Sequence, residues 1–317
     1  MRKDFAAISV LIIVAILFAG YFMKVDNTGF SASGKIRIAT GGESGIYYAF
    51  GDSLASLLEN QLKMTVTVIP SGGSVDNINL LRNSRTDIAF VQNDIMTYAY
   101  NGTNLFSTEG QFQEFGAIAS LYPESCQVVA RRNIINDIID LKGKRVSIGA
   151  EGSGTELNAL QILDSYGINY ADVNVDHLGF SASVNAFREG KIDAFFCTAG
   201  VPTPAVSELT EAGEAYILSV GEAHASLIIS QYPFYSRQII PKGVYPGIDE
   251  DVETVAVKAT LVASSKLSEN TILEIMKIIF DNSEEIVKDV PGISLSRSSA
   301  TEGLSVPLHP GAEKFLF

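Results

Sequence analysis

Residues Ile36 to Leu57 read IRIATGGESGIYYAFGDSLASL, and this stretch constrains the fold more than any other. Ile36 and Ile38 alternate as in a half-buried strand, which stops at Thr40-Gly41-Gly42. Ser44 is placed to cap a helix, and Tyr47, Phe50, Leu54, Leu57 and Leu58 follow at helical spacing. Strand, glycine turn and helix form one αβ unit whose turn lets backbone approach another molecule closely. The helix start turns unpaired N–H groups and roughly half a positive charge on whatever precedes it. A carboxylate or a phosphate suits that position, with Tyr47 and Tyr48 one turn further in.

The unit then recurs. Residues 65–69 (TVTVI) read as a second strand, 71–74 as a second Gly/Ser loop, 75–83 as a helix, and 87–91 as a third strand ending at Gln92-Asn93-Asp94. This alternation predicts a parallel sheet with covering helices, whose ligands lie beyond the carboxyl ends of the strands. Three polar loops, 41–44, 71–74 and 92–94, share that edge. A strand over 115–121 leads to Tyr122-Pro123-Glu124, which reads as a crossing point. Beyond it the pattern restarts with strands over 127–130 and 146–149, and Glu151-Gly152-Ser153-Gly154-Thr155 opens another helix.

Asn79, Arg82, Asp87, Phe90 and Gln92 recur as Asn185, Arg188, Asp193, Phe196 and Thr198 at one constant offset. Two half-chains on one plan imply two similar lobes facing each other. The segment 232–245 reads as irregular, 255–263 as the strand returning to the first lobe, and 268–282 as an amphipathic helix capped by Ser268.

With 317 residues, 46% of them hydrophobic, the chain is long enough for two ordinary domains. A net charge of −13 excludes nucleic acid as a partner. It also means that local dipoles and hydroxyls, not the overall field, must hold any anion. Residues 1–33 carry Arg2 and Lys3, an apolar run over 5–23 and a polar linker, the pattern of an export signal. Whether cleaved or retained as a membrane anchor, it places the rest in the periplasm or on the outer face of the cytoplasmic membrane.

Cys126 and Cys197 form no CxxC, and His177, His224 and His309 are scattered, so neither metal nor cofactor is expected. An exported setting permits a disulfide, but two buried thiols on neighbouring antiparallel strands are the favoured reading. Glu43 and Glu151 would repel a carboxylate and are expected to face solvent.

Taken in order, Gly45-Ile46-Tyr47-Tyr48, Ser71-Gly72-Gly73-Ser74-Val75-Asp76-Asn77, Phe90-Val91-Gln92-Asn93-Asp94, Leu141-Lys142-Gly143-Lys144-Arg145-Val146, Gly152-Ser153-Gly154-Thr155, Gly190-Lys191-Ile192-Asp193-Ala194-Phe195-Phe196, Ala199-Gly200-Val201-Pro202-Thr203-Pro204 and the terminal PLHPGAEKF make a specific set. With this set the chain resembles the TAXI group of TRAP-transporter solute receptors from Lys35 to Phe315. The resemblance implies a type II periplasmic-binding-protein fold: two α/β lobes, a hinge and a ligand cleft between the lobes. It also implies a non-enzymatic receptor that delivers glutamate, glutamine or a related small carboxylate to a membrane permease driven by an ion gradient. No GxxxxGK[ST] phosphate loop is present, in keeping with that drive.

On this reading, 35–121 plus 256–317 form lobe 1 and 124–255 form lobe 2. The ligand-binding candidates are Gly42, Ser44, Tyr47, Tyr48, Ser71, Gly72, Ser74 and Gln92 from lobe 1, with Ser153, Gly154, Thr155, Ala199, Gly200 and Pro202 from lobe 2. Glu124, at the crossing point, either meets an ammonium group or is a solvated hinge carboxylate. Two rivals stay open: a ligand-sensing module for a signalling partner, and an enzyme on the same fold. The cleft loops offer no histidine and no G-x-S-x-G elbow for an enzyme.

Overall fold

Lys35–Ala39 (β1) buries Ile36 and Ile38 completely, and Thr65–Ile69 (β2) and Ile88–Gln92 (β3) run parallel on either side of it. The computed structural model describes residues 34–317. The export segment read over 1–33 lies outside the described residues. β3 is buried at all five positions, as an apolar strand covered on both faces must be. Ile46–Leu62 (α1), Ser74–Arg82 (α2) and Asn93–Asn101 (α3) follow the three strands in turn. Ser268 caps Glu269–Asp281 (α8) through the Thr271 N–H, as the sequence implies.

The second half repeats the plan. Arg145–Ser147 (β5) pairs in parallel with Asn174–Asp176 (β6) and Ala194–Ala199 (β7), so β6-β5-β7 mirrors β2-β1-β3. Gly154–Ser165 (α4), Phe180–Arg188 (α5), Pro204–Glu211 (α6) and Glu222–Gln231 (α7) are its helices. The repeat extends to side chains. Arg37 holds Asp87 through Nε at 3.0 Å and Nη2 at 2.8 Å, and Arg145 holds Asp193 through the same two nitrogens at 3.0 and 2.6 Å.

Two long strands join the halves. Phe115–Arg131 (β4) and Val252–Ser264 (β10) lie antiparallel at the centre, giving the order β2-β1-β3-β10-β4-β7-β5-β6. Ala215–Leu218 (β8) pairs with β4, and Ser236–Ile240 (β9) with β10. The core divides accordingly. One pair of apolar clusters covers the two faces of the first half, and a second pair covers those of the second half.

Three expectations are corrected here. The strands expected over 115–121 and 127–130 are one continuous strand. Pro123 does not break it, because it faces Lys258 at a register shift and pairing with β7 begins only at Ser125. The segment 232–245, expected irregular, contains β9. And α1 starts at Ile46 with Gly45 at the cap position, so Ser44 does not cap it; a turn from Gly42 to Gly45 occupies that place.

Both cysteines are free and buried. Cys126 lies opposite Thr198 and Cys197 opposite Gln127, so pleating sends the two thiols to opposite faces of the sheet. They belong to different clusters and cannot join.

Candidate functional site

The carboxyl ends of β1, β2 and β3 meet those of β5 and β7 around a cavity of about 130 Å³. That is close to the ~150 Å³ of a cavity that accepts benzene, so it suits a small molecule and not a polymer. Its lining includes Gly42, Ser44, Tyr47, Ser71, Gly72, Ser74, Gln92, Glu124, Ser153, Gly154, Thr155 and Ala199. Twelve of the fifteen residues singled out from the sequence thus surround one space.

The cap positions of four helices also line it: Gly45 of α1, Gly73 of α2, Ser153 of α4 and Gly179 of α5. Each helix start brings N–H groups and about half a positive charge. No Lys, Arg or His lines the cavity; its titratable side chains are Tyr47 and Glu124. The positive potential there is therefore built from backbone dipoles.

The four starts are not equally available. The Gly152 carbonyl accepts the N–H groups of Val75 and Asp76 at 3.1 and 3.3 Å, so the second half of the molecule already caps α2. Ser153 Oγ accepts the Glu156 N–H at 3.1 Å and caps α4. No side chain caps α1 or α5.

Ser71 and Ser74 shape the rim from within. Ser71 Oγ lies 2.9 Å from the Thr40 carbonyl and 2.7 Å from Asn77 Oδ1, and it accepts the Gly73 N–H at 3.1 Å. Asn77, fully buried, donates to the carbonyls of Thr40 and Phe90 at 2.5 and 2.7 Å. Ser74 Oγ accepts the Gln92 N–H at 3.1 Å. These bonds tie the ends of β1, β2 and β3 into one rigid edge.

Glu124 is buried, and Tyr47 donates its hydroxyl to Oε2 at 2.7 Å. The solvated alternative for this carboxyl is thereby ruled out. Burial pushes it up to about 8, while the Tyr47 hydrogen bond pulls down and the nearby Asp94 pushes up. Tyr47 itself is fixed by stacking on Phe90, with ring centroids 5.2 Å apart.

The NMT1-like family matches residues 38–316 of this sequence. The chain belongs to that family. In solved structures, PhnD1 from Prochlorococcus marinus (MIT 9301), in complex with methylphosphonate, is similar with a TM-score of 0.57 at 12% identity. The match covers 90% of this chain and all (100%) of that one. The alkanesulfonate-binding protein SsuA from Xanthomonas axonopodis pv. citri, bound to MOPS, gives a TM-score of 0.51 at 16% identity, covering 90% of this chain and 84% of that one. At such identities the likeness is one of fold: the type II periplasmic-binding-protein fold.

Within this NMT1-like chain three expected residues lie away from the cavity. Tyr48 follows Tyr47 on α1, and a turn of about 100° between neighbours carries it off the lining face. Gly200 packs where a Cβ would meet the Gly292 carbonyl at 2.5 Å and Ile46 Cδ1 at 2.8 Å. Pro202 lines a neighbouring surface groove with Val290 and Pro291, which shares Ser44, Gly45 and Ile46 with the cavity. Glu43 and Glu151 are exposed, as expected.

Three lining residues went unmarked in the sequence, Ala150, Gly179 and Phe180, and a fourth, Thr198, was marked only as the repeat counterpart of Gln92. The constant offset relating Gln92 to Thr198 also relates Gly73 to Gly179 and Ser74 to Phe180. Carried through, that repeat also marks Gly179 and Phe180.

Proposed function

We propose that the chain is an extracytoplasmic solute receptor of a TRAP-type transporter of the TAXI group. It takes a small carboxylate, such as glutamate, glutamine or a related dicarboxylate, and delivers it to the membrane permease. The observation that carries this reading is that four helix cap residues line one small cavity that contains no cationic side chain. A carboxylate accepts several backbone N–H bonds at such helix starts, and exclusion of water strengthens them.

The lobes, 35–121 plus 256–317 and 124–255, close over the bound solute, and their outer tips face the permease. The motif resemblance supports the transporter class, and the fold supports a receptor role. Of two proteins of similar fold, one is named for an alkanesulfonate and the other is seen with methylphosphonate, so those anions belong in the test.

The test is isothermal calorimetry on the full-length chain in detergent with glutamate, glutamine, 2-oxoglutarate, methylphosphonate and ethanesulfonate. Saturable heat from one or more of the first three is expected. Heat from the phosphonate or sulfonate alone overturns the carboxylate class, and heat from none overturns the solute-site reading.

A further inference from the structure

The cavity holds a carboxyl that anion binding leaves without a use. Glu124 is 3% exposed, and its Oε2 accepts the Tyr47 hydroxyl. The titratable groups near enough to interact with its charge are Tyr47 from α1, Asp94 from α3, Tyr122 and Cys126 from β4, and Cys197 from β7. None of them is a cation. Lys258 on the adjoining β10 stands opposite Pro123, whereas Val257 stands opposite Glu124. Pleating therefore turns Lys258 to the other face, where it pairs with Glu302 at 3.2 Å.

With burial dominant and no countercharge, the carboxyl is held near 8 and is mostly protonated at neutral pH. Gln92 lines the same cavity, and its Oε1 is buried without a hydrogen-bond partner. Two acceptors with unused capacity match an ammonium group, which brings three donors and a charge.

We infer that Glu124 reads the amine of the solute and exchanges its own proton for it. In the free receptor the carboxyl is neutral. When an ammonium group docks, the O–H bond of Glu124 breaks, its electron pair stays on the carboxylate, and the proton leaves to solvent. Net charge balances, since one bound cation replaces one released proton. The inference rests on the reading of the cavity as a solute site, with the helix starts holding the carboxylate of the same molecule. A carboxylate lacking the amine leaves Glu124 protonated and releases nothing.

Calorimetry of the full-length chain in phosphate and in Tris at pH 7 measures the proton directly, because the two buffers differ in ionisation enthalpy. Glutamate is expected to release about 0.9 proton per site, the protonated fraction of a group near 8. Its affinity should rise about tenfold per pH unit from pH 6 to 7.5, then flatten above 8. 2-Oxoglutarate should show no such release.

Glu124→Gln should abolish the release and weaken glutamate at least tenfold. Tyr47→Phe, which removes a hydrogen bond that favours the ionised form, should keep the release and move the flattening to higher pH. Glutamate bound without proton release, or with equal release in E124Q, overturns the inference and leaves the solute site standing. If E124Q does not fold, an unmoved pH profile in Y47F overturns it instead. If 2-oxoglutarate binds and neither amino acid does, this inference falls and the solute site stands; if none of the five solutes binds, both fall.

Discussion

Asp94 has no exposed surface, and its carboxyl takes the Ile95 N–H at 2.8 Å and Asn158 Nδ2 at 3.2 Å. Asn158 also donates to the Tyr235 hydroxyl at 2.7 Å, which in turn donates to Gln161 Oε1 at 2.5 Å. Burial outweighs these bonds and raises the Asp94 carboxyl from 3.8 to about 6. Between those values the folded chain keeps a proton that the unfolded chain has released. Rising pH therefore favours unfolding: the stability Asp94 contributes is complete below about 3.8 and is lost as pH passes through about 6. The shift corresponds to about 3 kcal/mol. Urea unfolding at pH 4.5, 5.5 and 7 should show wild type losing stability relative to Asp94→Asn over that interval. Parallel curves for the two proteins would show that Asp94 is not the group responsible. Nothing in the sequence distinguishes Asp94 from its neighbours in Gln92-Asn93-Asp94, because its burial depends on α4 and on Tyr235, both distant in the chain.

At the scale of elements, the helix starts separate residues that hold the fold from those that only line the cavity. Ser153 caps α4 through the Glu156 N–H, so Ser153→Ala should cost about 1 kcal/mol of stability as well as affinity. Ser44 caps nothing, yet it lines the cavity before α1. Ser44→Ala should weaken glutamate binding and leave the melting temperature within about 1 °C of wild type, since surface changes without a structural bond are nearly neutral. Calorimetry paired with a thermal melt on both variants checks this, and equal loss of stability in the two would refute the distinction. The elements themselves were legible where local signals agreed: alternating β1, the Gly/Ser loops, α4 at Ser153 and α8 at Ser268. They were misread where pairing overrode the local signal. Residues 115–121 and 127–130 read as two strands with a crossing point at Tyr122-Pro123-Glu124, but pairing with β10 carries one strand through, with Pro123 at a register shift. β9 escaped notice because Ser236-Arg237-Gln238 lacks apolar alternation, and pairing with β10 supplies its order instead.

Across the whole molecule, the halves meet through backbone as much as through side chains. The Gly152 carbonyl sits on the start of α2, Asn158 reaches Asp94, and a Cβ on Gly154 would stand 1.8 Å from Gln92 Oε1. These contacts join parts of the chain that only the long strands β4 and β10 bring face to face. The sequence could therefore mark the loops as one edge but not show which atoms touch. Gly200 is the sharpest case, because its neighbour is main chain that cannot swing aside. A Cβ there would lie 2.5 Å from the Gly292 oxygen, and Gly292 itself sits at φ +93, where side chains are disfavoured. Separating the halves relieves the clash, so Gly200→Ala should spare the core of each half and penalise the closed arrangement alone. On the proposed receptor reading, solute affinity depends on the population of that arrangement. An added opening bias of about 1.4 kcal/mol or more would lower glutamate affinity at least tenfold. Small-angle scattering should then show wild type contracting on addition of glutamate and Gly200→Ala contracting less at the same concentration. The two melting temperatures should remain similar, because neither core has lost a contact. If Gly200→Ala binds and contracts like wild type, closure on the solute does not pass through the Gly200–Gly292 approach.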